Sequence, residues 1–192
     1  MTSLTPNSIS REEINALPIR RYEGEVVLVA GAQEMARAAT DLAQERVVGF
    51  DTETRPSFKV GQKYPPALAQ VATARTVYLF QLLRIDCAPV LRALLESPTI
   101  KAGVGIGDDI KALRAVFDFQ PAAIVDLGAL ARRRGVEHSG VRALAGLLLG
   151  FRIPKGTKTS NWAAPRLSPQ QVAYAATDAW ACRELYLKFD AS

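Results

Sequence analysis

The sequence predicts an α/β fold in which helices cover a mixed sheet. Three observations carry that reading. Short apolar runs suited to strands recur at residues 25–30, 47–54, 67–72, 77–80, 100–104 and 123–126. Amphipathic stretches with helical spacing separate most of these runs. Between 47 and 80 the runs follow one another without a helix, as in antiparallel pairing, and beyond that point strands alternate with helices.

Taken in order, residues 1–18 are polar and contain two prolines, which predicts a mobile or loosely docked N-terminal arm ahead of a single domain spanning 19–192. Residues 25–30 (EVVLVA) read as the first strand and 33–44 as a helix. The run 47–54 (VVGFDTET) starts as a buried strand and ends in acids. Residues 55–66 are irregular. Two short strands, 67–72 and 77–80, flank a turn at 73–76. An amphipathic helix at 88–96 is stopped by Pro98. A strand at 100–104 leads through a glycine turn at 105–107 into a helix over 108–117. A short strand at 123–126 precedes a helix that runs through Arg133. Residues 141–149 are apolar and helical, and 150–168 form a long basic loop. Ser168-Pro169 is a good start for a last helix reaching about residue 189, with a serine N-cap and proline in the first turn.

Composition narrows the function classes. A chain of 192 residues that is 48% hydrophobic and 22% charged can bury a globular core. No apolar run is long enough to span a bilayer, and the N-terminus lacks the apolar stretch of a secretory signal. Two cysteines cannot build a disulfide framework, and one histidine leaves no Cys/His zinc site. A reducing cytoplasm is the expected compartment. The net charge of +5 and pI near 9.4 favour polyanionic partners.

Against that basic background, the positions of the acids are informative. Asp51 and Glu53 are two apart on a strand and share one face. Paired carboxylates repel unless a proton or cation neutralises them, and a hard divalent cation suits such oxygen ligands. At Lys101–Leu113 (KAGVGIGDDIKAL), a glycine turn opens a helix at Asp108-Asp109. A dinucleotide-binding turn would need glycine where Asp108 stands, and an acid there opposes a pyrophosphate. These acids suit either a helix N-terminus or a metal site. Tyr174 and Asp178 are four apart and share a helical face, flanked by small residues that permit close approach to the sheet. In the basic loop, Lys155 and Lys158 offer phosphate contacts. Trp162 offers either a stacking surface for a base or an anchor to the core. Arg132-Arg133-Arg134 reads as a solvated helix end, His138 as a surface residue, and Cys87 and Cys182 as small apolar fillers.

In this order, the motifs resemble the Asp-Glu-Asp-Asp 3′–5′ exonucleases of the ribonuclease-H-like fold. Asp51-x-Glu53 is similar to the first motif, Asp109 to the second and Tyr174-x-x-x-Asp178 to the third. Asp109 is preferred to Asp108 because it aligns seventh from Gly103 in the family's pattern. A tyrosine four residues before the last aspartate resembles the tyrosine subclass. The segments GVGIGDD, SNW and YAATDAW are most similar to Werner-type exonuclease domains and ribonuclease D catalytic domains, and the likeness covers about residues 20–190.

The resemblance implies a three-layer sandwich with a mixed sheet of five to six strands. It also implies two Mg²⁺ or Mn²⁺ ions held by Asp51, Glu53, Asp109 and Asp178, with Tyr174 orienting the attacking water. The substrate would be single-stranded or 3′-terminal DNA or RNA, the product a nucleoside 5′-monophosphate, with no membrane partner. Thr52 alternates to the opposite face and is expected to pack. Two alternatives stay open: a ribonuclease D-like RNA-trimming enzyme, and a catalytically silent nucleic-acid-binding module.

Overall fold

In a computed structural model of the chain, residues 7–57, 59, 61–156 and 160–191 are described. Six strands form one sheet: β1 (Glu25–Val29), β2 (Val47–Thr54), β3 (Pro66–Ala72), β4 (Thr76–Gln81), β5 (Ile100–Gly103) and β6 (Ile124–Asp126). Their spatial order is β1-β4-β3-β2-β5-β6. The three central strands β2, β3 and β4 are antiparallel neighbours. The outer pairings β1–β4, β2–β5 and β5–β6 are parallel. This mixed sheet agrees with the predicted fold class.

The period-2 alternation sorts β2 between two helical layers. Val48 and Phe50 point towards α2 (Ala32–Ala43), α3 (Ala88–Glu96) and α4 (Ile106–Arg114), joining Leu42, Leu91, Leu95, Ile106 and Leu113 in the larger core. On the other face, α7 (Pro169–Asp190) packs Ala175, Ala176 and Ala179 against Leu68, Ala72, Val77 and Leu79. Small residues bring this helix very close. A Cβ on Gly49 would stand 1.8 Å from the Ala179 carbonyl oxygen. The start of α7 is the one expected: Ser168 accepts from the Gln171 N–H in a capping box, with proline in the first turn. Further helices α5 (Leu127–Arg133) and α6 (Val141–Leu144) lie beside α7, and α6 continues as a π-helical turn over Ala145–Leu149.

Two boundaries differ from the sequence reading. The helix expected at 108–117 starts at Ile106 and ends at Arg114, because Gly105 takes a left-handed conformation and serves as its N-cap. The segment expected to be a loose arm contains α1 (Arg11–Ala16), fixed by a Ser10–Glu13 capping box. Ile9, Ile14 and Leu17 approach Gly146, and Ile19 bridges to Arg152. The Ser-x-x-Glu spacing at 10–13 was the available signal for that helix. No helix among the described residues is long and apolar enough to cross a membrane.

Candidate active site

At the C-terminal end of β2, Asp51 and Glu53 project towards α7. Because Gly49 lets α7 lie against the strand, Asp178 reaches the same volume from above. One carboxylate oxygen from each of Asp51, Glu53 and Asp178 lies within 4.8 Å of the others. Asp178 is 5% exposed, and Asp51 and Glu53 are half-buried. One helical turn earlier, Tyr174 turns its hydroxyl towards the Asp178 carboxylate, close enough for the two groups to shift each other's protonation.

Asp109 comes from the other layer. It lies in the first turn of α4, and its carboxylate accepts a hydrogen bond from the Thr52 hydroxyl. Thr52 does face away from Asp51 and Glu53, as expected, but its hydroxyl fixes an acid instead of merely packing. Asp109 therefore sits beside the three-carboxylate cluster without sharing its 4.8 Å radius. Asp108 is exposed.

Electrostatics follow from this crowding. Burial, then repulsion from Asp109, Asp178 and Glu53, holds the Asp51 carboxyl well above the usual range. Burial, then Asp178 and Asp109, pushes Glu53 up to about 8. Burial raises Asp178 to about 6 against the pull of the Tyr174 hydroxyl and Arg142. Asp109 is raised by burial, with the Thr52 hydrogen bond opposing. Tyr174 is also raised, by burial and then by Asp178. The ion pairs among the described residues lie elsewhere, joining Arg37 to Glu25 and Asp41 and Arg183 to Glu45 and Glu184. Opposite Asp51 in the β2–β3 register stands Gln70, fully buried, with neither side-chain polar atom hydrogen-bonded among the described residues. Clustered oxygen donors that form no ion pair among the described residues, with an orphaned amide alongside, fit a hydrated divalent cation.

Two clefts adjoin the cluster. One, of about 510 Å³, is lined by Glu53, Arg55, Lys63, Tyr64, Trp162 and Tyr174, among others. The second, of about 650 Å³, includes Arg21, Lys155, Asn161, Trp162 and Tyr174 in its lining. Lys155 is exposed on that wall, whereas Lys158 lies outside the described residues. Trp162 is 5% exposed and packs with Ala67, Leu79 and the Tyr174 ring, centroids 6.1 Å apart. In this conformation it is a core anchor that shows only an edge to the clefts.

Sequence reasoning passed over Arg55, whose guanidinium lies 4.1 Å from the Tyr64 ring centroid, and Arg142, whose Nε donates to the Ile153 carbonyl. A basic residue two positions after Glu53 was the only signal for the first. The second had none, since only the fold brings residue 142 near Asp178.

Residues 26–191 match the family model described as 3'-5' exonuclease. The chain belongs to the 3′–5′ exonuclease domain family. It is 33% identical over 184 residues to the mouse bifunctional 3'-5' exonuclease/ATP-dependent helicase WRN, covering 90% of this chain and 13% of that protein. It is 31% identical over 166 residues to ribonuclease D of Gluconacetobacter diazotrophicus, covering 83% of this chain and 41% of that protein. The chain thus spans well under half the length of either. The crystal structure of the Aedes aegypti Nibbler EXO domain superposes with a TM-score of 0.77 at 25% identity, covering 92% of each chain.

Proposed function

We propose that this chain is a metal-dependent 3′–5′ exonuclease of the tyrosine subclass, hydrolysing phosphodiester bonds at the 3′ end of single-stranded DNA or RNA and releasing nucleoside 5′-monophosphates. The observation that carries this reading is the convergence of Asp51, Glu53 and Asp178 within 4.8 Å, with Asp109 adjacent, in a member of this family. Asp51, Glu53, Asp109 and Asp178 would hold two Mg²⁺ or Mn²⁺ ions. When bound, such ions supply a water nucleophile at neutral pH and charge stabilisation for the attacking and leaving oxygens.

The protein's own groups do the positioning. Tyr174 keeps its proton and directs its O–H at the Asp178 carboxylate, which leaves the phenol oxygen's lone pairs free to accept from the attacking water. With its pKa raised, the phenol stays protonated at working pH, so Tyr174 orients the water and does not deprotonate it. Thr52 fixes Asp109 in one orientation. Lys155 and Arg55 supply phosphate contacts around the clefts, the sequence offers Lys158 as a further basic group, and Trp162 supports the wall on which a terminal nucleotide rests. A ribonuclease D-like preference for RNA is the second reading, favoured by the similarity to ribonuclease D. We propose a cytoplasmic location, supported by two buried cysteines that remain unpaired.

The test uses 5′-labelled single-stranded DNA and RNA and recessed duplexes, with Mg²⁺ or Mn²⁺ and an EDTA control. The expected result is a ladder shortening from the 3′ end that chelation abolishes. The relative rates on DNA and RNA assign the substrate. Activity that survives exhaustive chelation overturns the reading.

A further inference from the structure

Beside the site, the basic loop carries a glycine whose role is spatial. A Cβ built on Gly156 would stand 2.5 Å from Cζ of Tyr174, 2.6 Å from Cε2 and 3.0 Å from the hydroxyl oxygen. Gly156 is not among the glycines in the left-handed region, which are Gly61, Gly105, Gly135 and Gly150. Its backbone conformation is therefore open to other residues, and what the position excludes is a side chain.

The backbone leading to this contact is held in place. Arg152 donates its N–H to the Pro18 carbonyl, and its own carbonyl accepts from the Arg20 N–H. The Ile153 carbonyl accepts from Arg142 Nε at 3.2 Å, and the Ile153 side chain is buried. Tyr174 is also in contact with the buried Trp162 ring. The tyrosine thus lies between an anchored aromatic, its Asp178 partner and a strip of backbone that has no side chain.

We propose that Gly156 is a positioning residue: the bare backbone forms a seat that sets where the Tyr174 hydroxyl lies relative to the carboxylate cluster. The inference rests on the reading of Tyr174 as the water-orienting group. A methyl group at 156 meets the far end of a side chain, so the fold accommodates it by turning the ring away from its preferred rotamer. Catalysis tolerates that turn poorly, because a misplacement near 1 Å can cost on the order of a hundredfold in rate. The position would therefore be cheap for stability and expensive for turnover.

The experiment is a double-mutant cycle on the full chain with Mn²⁺ and a 5′-labelled single strand, combining Gly156→Ala with Tyr174→Phe. Gly156→Ala is expected to lower kcat about tenfold while KM stays within about twofold, the pattern of a change felt in the transition state. In the Tyr174→Phe background, with no hydroxyl left to misplace, the same change should alter kcat by less than about twofold. The Tyr174 ring resonances, identified by their loss in Tyr174→Phe, should shift in Gly156→Ala without substrate or metal. Full kcat in Gly156→Ala, an equal loss in both backgrounds, or unmoved ring resonances overturns the proposal. So does a Gly156→Ala variant that melts far below the parent, since the seat would then be a packing requirement of the fold. If Tyr174→Phe itself leaves kcat unchanged, it is the assignment of Tyr174 that fails.

Discussion

The two faces of β2 deliver carboxylates by different means. On one face, glycine and alanines remove the side chains between strand and helix, and Asp178 is carried in by α7 itself. On the other, Phe50, Ile106 and Ile110 fill the space between strand and α4, and Asp109 is held at the sheet's end by the Thr52 hydroxyl. The first arrangement fixes an acid through backbone proximity, which no side-chain rotation can relax. The second fixes an acid through a single hydrogen bond, which a point substitution can remove without disturbing the core.

Breaking the first arrangement should cost most. In Gly49→Ala the new methyl meets the Ala179 backbone, so the helix must move. Destabilisation should reach about 3 kcal/mol or more, the top of the usual range for overpacking, measured by urea titration. A change under about 1 kcal/mol would mean that α7 yields easily, and the contrast between the faces would collapse.

Thr52→Val tests the opposite face. It keeps the shape and removes the donor to Asp109. Stability should change by no more than about 1 kcal/mol, while activity or metal affinity falls by about 10–100-fold, the usual cost of losing a partner that orients a metal ligand. Unaltered activity would show that Asp109 does not depend on Thr52.

Removing charge from the shared cluster is a smaller perturbation. Asp51→Asn without metal should melt at or above the metal-free parent, because it relieves repulsion. Glu53 near 8 and Asp178 near 6 both lie above their ordinary values, so their protonated forms favour the fold. That stabilisation is complete below the ordinary carboxylate range and is lost as pH rises through 6 and then 8. The variant's melting advantage should therefore widen between about pH 5 and pH 9. Added Mn²⁺ should stabilise the parent more than the variant. A variant that melts lower at every pH would indicate that Asp51 is a structural acid with a hidden cationic partner.

Lys101 should show the smallest effect, with the opposite pH trend. It is fully buried on β5, and its ammonium donates to the Leu94 and Ser97 carbonyls at 3.0 and 2.9 Å, capping the end of α3. Burial lowers its pKa to about 8, so between about 8 and the ordinary lysine value of 10.5 the unfolded chain binds the extra proton and stability rises with pH. Lys101→Met should abolish that rise while changing stability at neutral pH by about 1 kcal/mol or less.

What was legible in the sequence was whatever local periodicity encodes. The Asp51–Glu53 pair follows from strand alternation, the Tyr174–Asp178 pair from helical spacing, and the close approach of α7 from its alanines. The capped start at Ser168 was equally plain. The long-range arrangement was not legible in this way. Nothing local says that β1 joins the sheet parallel to β4, that Arg142 comes near Asp178, or that Gly156 lies against Tyr174. The helix at Arg11–Ala16 was missed because polar composition outweighed a capping-box signal. Trp162 could be read both ways, since a loop tryptophan beside lysines looks the same whether it turns outward or into the core.

The placement of α7 also bears on how the protein is made. Asp51 and Asp178 are 127 residues apart, and the helix that brings them together packs across the middle of a sheet whose strands all precede it in the chain. Contacts so distant in sequence close late in folding. On the ribosome the sheet can begin to assemble while α7 is still unsynthesised, but it then lacks the third carboxylate and the tyrosine together. With the site residues proposed above, a nascent chain of this kind would hold no competent hydrolytic centre, and a fragment ending before residue 174 is expected to be inert however well its sheet has folded.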